Sequence, residues 1–234
     1  MTRSKGRIKG STNDSGGGSG PDGSGEEAGY QAIVDRLAEL YPEAACTLDF
    51  SNAYQLLVAT VLAAQCTDER VNKVTRDLFV KYPTPEALAR ADREELEEDI
   101  HELGFFRNKS KNLIAAATAI VEEHGGEVPA SREELTELPG VGRKTANAVL
   151  ANAFDTPAFA VDTHVQRVSN RLGLASSDKV RETEEQLTRR IARERWVDTH
   201  HRLIRHGRQV CAARRPACED CGLREMCREY GEDA

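Results

Sequence analysis

The run Leu138-Pro139-Gly140-Val141-Gly142-Arg143-Lys144-Thr145-Ala146 limits what this chain can fold into more than any other stretch. Two glycines flank one valine, and Ala148, Val149 and Ala151 then continue with good helix formers or apolar residues. The spacing predicts a tight hairpin that opens a helix at Arg143. Gly140 and Gly142 allow backbone angles that side chains resist, and they leave the hairpin N–H groups uncovered. The first N–H groups of the helix have no partner within it and carry the positive end of its dipole. Such a terminus suits one phosphate of a nucleic-acid backbone. Lys144 falls in the first turn, and Asp162, in Val161-Asp162-Thr163-His164, follows 18 residues later.

The rest of the chain from Tyr30 onward reads as helical. Ile33, Val34, Leu37, Leu40 and Tyr41 mark an amphipathic helix stopped by Pro42. Tyr54, Leu57, Val58, Val61 and Leu62 mark a second, and Val71, Val74, Leu78 and Phe79 a third. Thr84-Pro85 reads as an N-cap followed by a proline at the first helical position. Asp92-x-x-Glu95 and Ser131-x-x-Glu134 have the form of capping boxes. Leu113, Ala116, Ala117, Ile120 and Val121 give a long helix after Asn108. One helix ends at Leu172 before Gly173, and Leu203 and Ile204 belong to the last. No stretch has a strand's pattern, so the expected class is all-α. Residues 1–29 are Gly/Ser-rich with Ile8 as nearly the sole large apolar side chain, and are expected to form a disordered tail.

At 234 residues the chain has room for one large domain or two small ones. There is no apolar run long enough to span a membrane and no signal-peptide pattern, so a cytoplasmic protein is expected. A net charge of −7 argues on its face against nucleic acid. The signs are segregated, however. Glu94, Glu95, Glu97, Glu98, Asp99 and Glu102 form an acidic patch, whereas Arg202, Arg205, Arg208, Arg214 and Arg215 form a basic one. Phosphate binding needs only a local positive surface.

Two loops ahead of the hairpin stand out. Gln65-Cys66-Thr67-Asp68 lies between the second and third helices, and Gly104-Phe105-Phe106-Arg107-Asn108-Lys109-Ser110-Lys111 joins aromatics to cations after a glycine. The second has the composition of an exposed wedge flanked by phosphate contacts. Composition alone favours a core position for at least one of Phe105 and Phe106.

Near the C-terminus, Cys211, Cys218, Cys221 and Cys227 fall within 17 residues. Disulfides are not expected in a cytoplasmic protein, so these four read as a metal or cluster loop. Four thiolates suit tetrahedral zinc and an iron–sulfur cluster alike, and the residues alone leave both open. Cys46 and Cys66 read as small buried hydrophobes.

The hairpin and Val-Asp-Thr-His, in this order and followed by the cysteine array, closely resemble the endonuclease III family of base-excision DNA glycosylases. The resemblance covers roughly residues 30–228. It implies two helical domains with a catalytic cleft between them: a six-helix domain at 46–156 holding the helix-hairpin-helix, and a second from 30–45 with 157–228. It implies a [4Fe–4S] cluster on the four cysteines. It makes Lys144 the nucleophile and Asp162 the catalytic carboxylate, Phe105 the wedge and Gln65 the plug for the gap left by a flipped base. Relatives often carry Leu at the wedge, so Phe105 is an apolar departure. Lys109, Gly140, Gly142, Arg143 and Thr145 are expected on DNA.

The implied activity is removal of oxidised pyrimidines from duplex DNA. Cleavage 3′ to the abasic site then proceeds by β-elimination through a lysine Schiff base. The expected partner is damaged double-stranded DNA, bound by a monomer, in the cytoplasm at a prokaryotic nucleoid. Attack requires the neutral amine, which the helix N-terminus, Arg143 and partial burial are all expected to favour. Two readings compete at each catalytic position on the residues alone. Lys144 could contact only phosphate as a point charge, and Asp162 could cap the helix starting at Thr163. Rival functions are a monofunctional adenine glycosylase, which lacks a lysine at the Lys144 position, and a non-catalytic helix-hairpin-helix DNA-binding module.

Overall fold

The computed structural model describes residues 23–232. Among the described residues there are twelve α-helices, a few short 3-10 turns and no strand. The all-α expectation therefore holds. Residues 1–22 of the expected tail lie outside the described residues. Residues 23–29 depart from that expectation, because they are helical: α1 runs Gly23–Leu40. Residues 25–29 are exposed on this helix and are carried by the stripe that follows, Ile33, Val34, Leu37 and Tyr41, all buried. Glu26 in the first turn suits the dipole there.

The buried apolar side chains fall into two clusters. The first spans Tyr54 to Ala158 and is built from seven consecutive helices. These are α2 (Ala53–Leu62), α3 (Asp68–Lys81), α4 (Pro85–Ala89), α5 (Arg93–Asp99), α6 (Phe106–His124), α7 (Arg132–Glu137) and α8 (Arg143–Ala153). They are one more than the six expected for 46–156, because the short α4, α5 and α7 each form a separate helix. The second unites Ile33, Val34, Leu37 and Tyr41 with Phe159, Val161 and later residues up to Leu223. It holds α1, α9 (Thr163–Leu172), α10 (Val180–Arg190) and α11 (Trp196–Gln209), with α12 (Arg228–Glu232) against α9.

Local chemistry explains the starts of the helices. Thr84 accepts from Ala87 N, with Pro85 at the first position. Asp92 Oδ1 accepts from Glu95 N at 3.0 Å. Ser131 Oγ accepts from Glu134 N at 3.2 Å and donates to the Glu134 carboxylate. The site depends most on how α8 meets the segment before α9. Asn147 is fully buried in α8, and its Nδ2 donates to Phe159 O at 2.8 Å. Its Oδ1 accepts from Arg132 Nε at 2.8 Å. This buried amide ties the hairpin helix to the strand of chain that leads to Asp162.

Candidate active site

The hairpin folds as its glycines predict, but the two glycines do different jobs. Gly140 has φ +79°, and a Cβ there would come within 2.8 Å of Asn112 Cβ, so both backbone and space demand glycine. Gly142 is extended (φ −91°, ψ 172°), and a Cβ on it would meet nothing within 4 Å. It is the N-cap of α8 and supplies no side-chain cap. The first intrahelical bond is Ala146 N to Gly142 O at 2.9 Å. The N–H groups of Arg143, Lys144 and Thr145 therefore stand at an uncapped terminus, as an anion site requires.

Lys144 and Asp162 line one pocket of about 420 Å3. Helical periodicity puts Lys144, Ala148 and Asn152 on the same face of α8, and all three line it. Lys144 is exposed, so the expected partial burial is absent. Asp162 is the N-cap of α9, its Oδ1 accepting from Val165 N at 2.8 Å. The capping role is thus real, and the carboxylate is fixed by it where it borders the pocket.

Much of the rest of the lining is assembled from distant segments with no shared sequence signal. It comes from residues 43–48, from Asp68, and from His200, His201, Arg205 and Arg208 of α11. Arg208 Nη2 donates to Asp68 Oδ2 at 2.9 Å, and Arg205 Nη1 to Glu43 O at 3.2 Å. The basic patch is therefore partly engaged inside the protein. His201 Nε2 lies 2.8 Å from Asn152 Oδ1. Burial drops the His201 pKa to about 4. Burial also holds His200 well below the ordinary value, with His201 and Lys144 pushing the same way. Both imidazoles are neutral at neutral pH and add no cation beside Lys144.

Three of the expected DNA contacts are placed differently from one another. Arg143 forms a two-pronged ion pair with Glu184 of α10, Nε to Oε2 and Nη2 to Oε1, each at 2.8 Å. Glu184 is 5% exposed. The Arg143 charge is thus matched within the protein, and its pKa is raised by that bond. Gln65 is exposed in the loop between α2 and α3, in a left-handed conformation at φ 56°. Phe105 is 64% exposed at φ 49°, whereas Phe106 packs against the first cluster. Neither Gln65 nor Phe105 lines the Lys144 pocket.

Lys109 requires a correction. It is 5% exposed, and its Nζ donates to Leu103 O at 2.8 Å, so its amine is not presented to DNA. Burial lowers its pKa from the ordinary lysine value. The cause is its place in α6: residues 109, 113, 116 and 120 form one buried stripe.

The four C-terminal cysteines surround a second cavity, of about 110 Å3, with His206, Arg171 and Glu229. Arg171 Nη1 lies 3.5 Å from Cys211 Sγ and donates to Ala212 O at 2.8 Å. His206 bridges Tyr41 OH, 2.8 Å from Nδ1, and Cys221 Sγ, 3.7 Å from Nε2. Arg167 holds the start of the loop through Cys211 O, at 3.1 Å from Nε and 3.0 Å from Nη2. Among the described residues, no three Cys, His, Asp or Glu side chains converge closely enough to hold a single metal ion. Cys46 and Cys66 are half-buried against the first cluster.

Comparison with known proteins bears on this arrangement. A family profile described as HhH-GPD superfamily base excision DNA repair protein matches residues 58–193. The chain is 50% identical over 197 residues to endonuclease III of Bacillus subtilis, a match covering 84% of this chain and 90% of that protein. It is 55% identical over 192 residues to endonuclease III of Synechocystis sp., covering 82% of this chain and 88% of that protein. Among solved structures it resembles the protein of a trapped endonuclease III–DNA covalent intermediate. That likeness has a TM-score of 0.85 and 47% identity, over 88% of this chain and 98% of the other.

Proposed function

Since the chain belongs to the endonuclease III family of HhH-GPD base excision DNA repair proteins, we propose that it removes oxidised pyrimidines from duplex DNA and cuts the resulting abasic site, with Lys144 as nucleophile and Asp162 as the assisting carboxylate. The observation that carries this reading is their shared pocket, lined by Lys144 from an uncapped helix terminus and Asp162 from a rigid cap. The uncapped N–H groups at Gly142–Thr145 hold a backbone phosphate, and the extruded nucleotide enters the pocket. Lys144 Nζ bonds to C1′ as the glycosidic C1′–N bond breaks, and the base departs with the electron pair and takes up a proton. Asp162 balances the positive charge growing on the sugar. Ring opening gives the imine. Loss of a C2′ proton then expels the 3′ phosphate and cuts the strand.

Two helical lobes, one around each apolar cluster, frame this chemistry. Residues 46–156 form the first, and residues 30–45 with 157–228 the second. Phe105 serves as the wedge and Gln65 as the plug, a reading supported by their exposure and left-handed backbone. Cys211, Cys218, Cys221 and Cys227 hold a [4Fe–4S] cluster. Their thiols line one cavity with His206 and Arg171. Four thiolates suit zinc or a cluster alike, and the family membership supports the cluster. When bound, the cluster would cross-link the loop between α11 and α12. The enzyme works in the cytoplasm on nucleoid DNA; no described helix is long and apolar enough to cross a membrane.

Duplex oligonucleotides carrying single defined lesions test the activity. Base release and a nick 3′ to an oxidised pyrimidine are expected. Release of adenine from mispairs without nicking would support the monofunctional rival, and binding without any product the non-catalytic one.

A further inference from the structure

We propose that Lys109 is a positioning residue for strand invasion: its buried amine sets the conformation in which Phe105 is presented to the base stack. The inference rests on the wedge reading of Phe105 given above. Three observations carry it. Lys109 is bonded on both sides of Phe105. Its main-chain N–H donates to Phe105 O at 3.0 Å, an acceptor shared with Asn108 N, also at 3.0 Å. Its side chain alone reaches Leu103 O, with Nζ donating at 2.8 Å. Between those two carbonyls the chain passes through Gly104 (φ 63°, ψ 160°) and Phe105 (φ 49°, ψ 23°).

The second observation is the strain. A non-glycine residue in the left-handed region costs on the order of 1–3 kcal/mol and persists only when its surroundings impose it. Phe105 stands at the N-cap of α6, where the side chain makes no capping bond. Its ring is largely exposed, so packing of the ring does not impose the conformation either. On the C-terminal side Phe105 O is held by the main-chain N–H groups of Asn108 and Lys109, whatever side chain stands at 109. On the N-terminal side the Lys109 amine on Leu103 O is the side-chain bond that remains.

The third is the choice of residue. Burying an ammonium is costly, and an apolar side chain of similar length is often neutral or stabilising in such a place. Lys109 lies on the same stripe as Leu113, Ala116 and Ile120, where a methionine would satisfy the core. Core packing does not call for an amine at this position; a fixed Leu103 carbonyl does.

The test compares Lys109→Met with Phe105→Ala in the full chain, on two substrates. One is a duplex with a single oxidised pyrimidine, and the other a single-stranded oligonucleotide with a preformed abasic site, where nothing must be unstacked. Unstacking costs a few kcal/mol, so a misplaced wedge is expected to slow single-turnover excision in the duplex about tenfold or more. The same Lys109→Met protein should keep its melting temperature and nick the single strand within about threefold of wild type. If Phe105→Ala is duplex-selective but Lys109→Met behaves as wild type on both substrates, the inference about Lys109 fails while the wedge stands. If Lys109→Met loses both activities equally, or loses its fold, the lysine is an ordinary structural residue and the inference is overturned. If Phe105→Ala shows no duplex selectivity, the wedge reading itself fails.

Discussion

The first cluster closes around Leu56, Leu62, Leu96, Ile120 and Leu135, and five of its helices begin at a side-chain cap: Asn52, Thr67, Thr84, Asp92 and Ser131. The second cluster is smaller, and its α10 and α11 have no side-chain cap. Arginines hold it instead, donating to main-chain carbonyls. Arg36 reaches Gly222 O at 3.1 Å, Arg167 reaches Gly207 O at 2.9 Å, Arg171 reaches Ala212 O at 2.8 Å and Arg228 reaches Asn170 O at 2.8 Å. The difference follows from composition. The segment between the cysteines has few apolar side chains to bury, yet its carbonyls need partners. Guanidinium groups, with five donors each, supply them. The first half is held mainly by its apolar core, the second by a smaller core with guanidinium donors on loop carbonyls, and the pocket with Lys144 and Asp162 is lined from both.

That contrast can be broken first at Cys211. Cys211→Ser should cost the most, about 3 kcal/mol or more, because on the proposed cluster reading it removes a ligand and with it folding energy from the segment. Hydrogen exchange should rise in α9 and α11 while α2 and α6 stay protected; a uniform rise across both clusters would contradict the contrast. Next in size is Leu62→Ala, fully buried in the first cluster. It should cost about 2–5 kcal/mol and leave iron content unchanged. Arg171→Ala should cost about 1–3 kcal/mol, confined to the cysteine loop, since it leaves a carbonyl and a sulfur without their donor. Denaturant midpoints and iron per chain separate these cases. The smallest effect on stability belongs to Asp162→Asn, within about 0.5 kcal/mol, because asparagine caps a helix as well as aspartate. Its base-removal rate should nevertheless fall about a hundredfold or more, as the negative charge is gone. A large loss of stability with little loss of rate would reduce Asp162 to a cap.

What was legible in the sequence was mostly local. Thr84-Pro85 and the hairpin announce themselves within four residues and form as read. Asp92 and Ser131 are N-caps, but their boxes are not reciprocal, because Glu95 pairs with Lys81 and Glu134 accepts from the Ser131 hydroxyl. Helix α10 was not readable, because its buried face is Thr183, Glu184 and Leu187, with too little apolar signal for a periodicity to show. Asn152 was within reach, two helical turns after Lys144 on one face. The loop before Lys109 suggests a DNA contact, but the stripe it shares with Leu113 and Ile120 places it in the core. Nothing local signals the Arg143–Glu184 pair, 41 residues apart, or the wall from residues 43–48, which arises only when the two clusters come together.

Covalent attack by Lys144 passes through an imine, which can be trapped. Wild-type protein mixed with abasic-site duplex and borohydride should give a cross-linked species on a denaturing gel, because borohydride reduces an imine to a stable amine. Lys144→Gln should give no cross-link and no strand cleavage while keeping most of its affinity for the duplex. A Lys144→Gln protein that still cross-links, or still nicks at near wild-type rates, would contradict the account and leave Lys144 a phosphate contact.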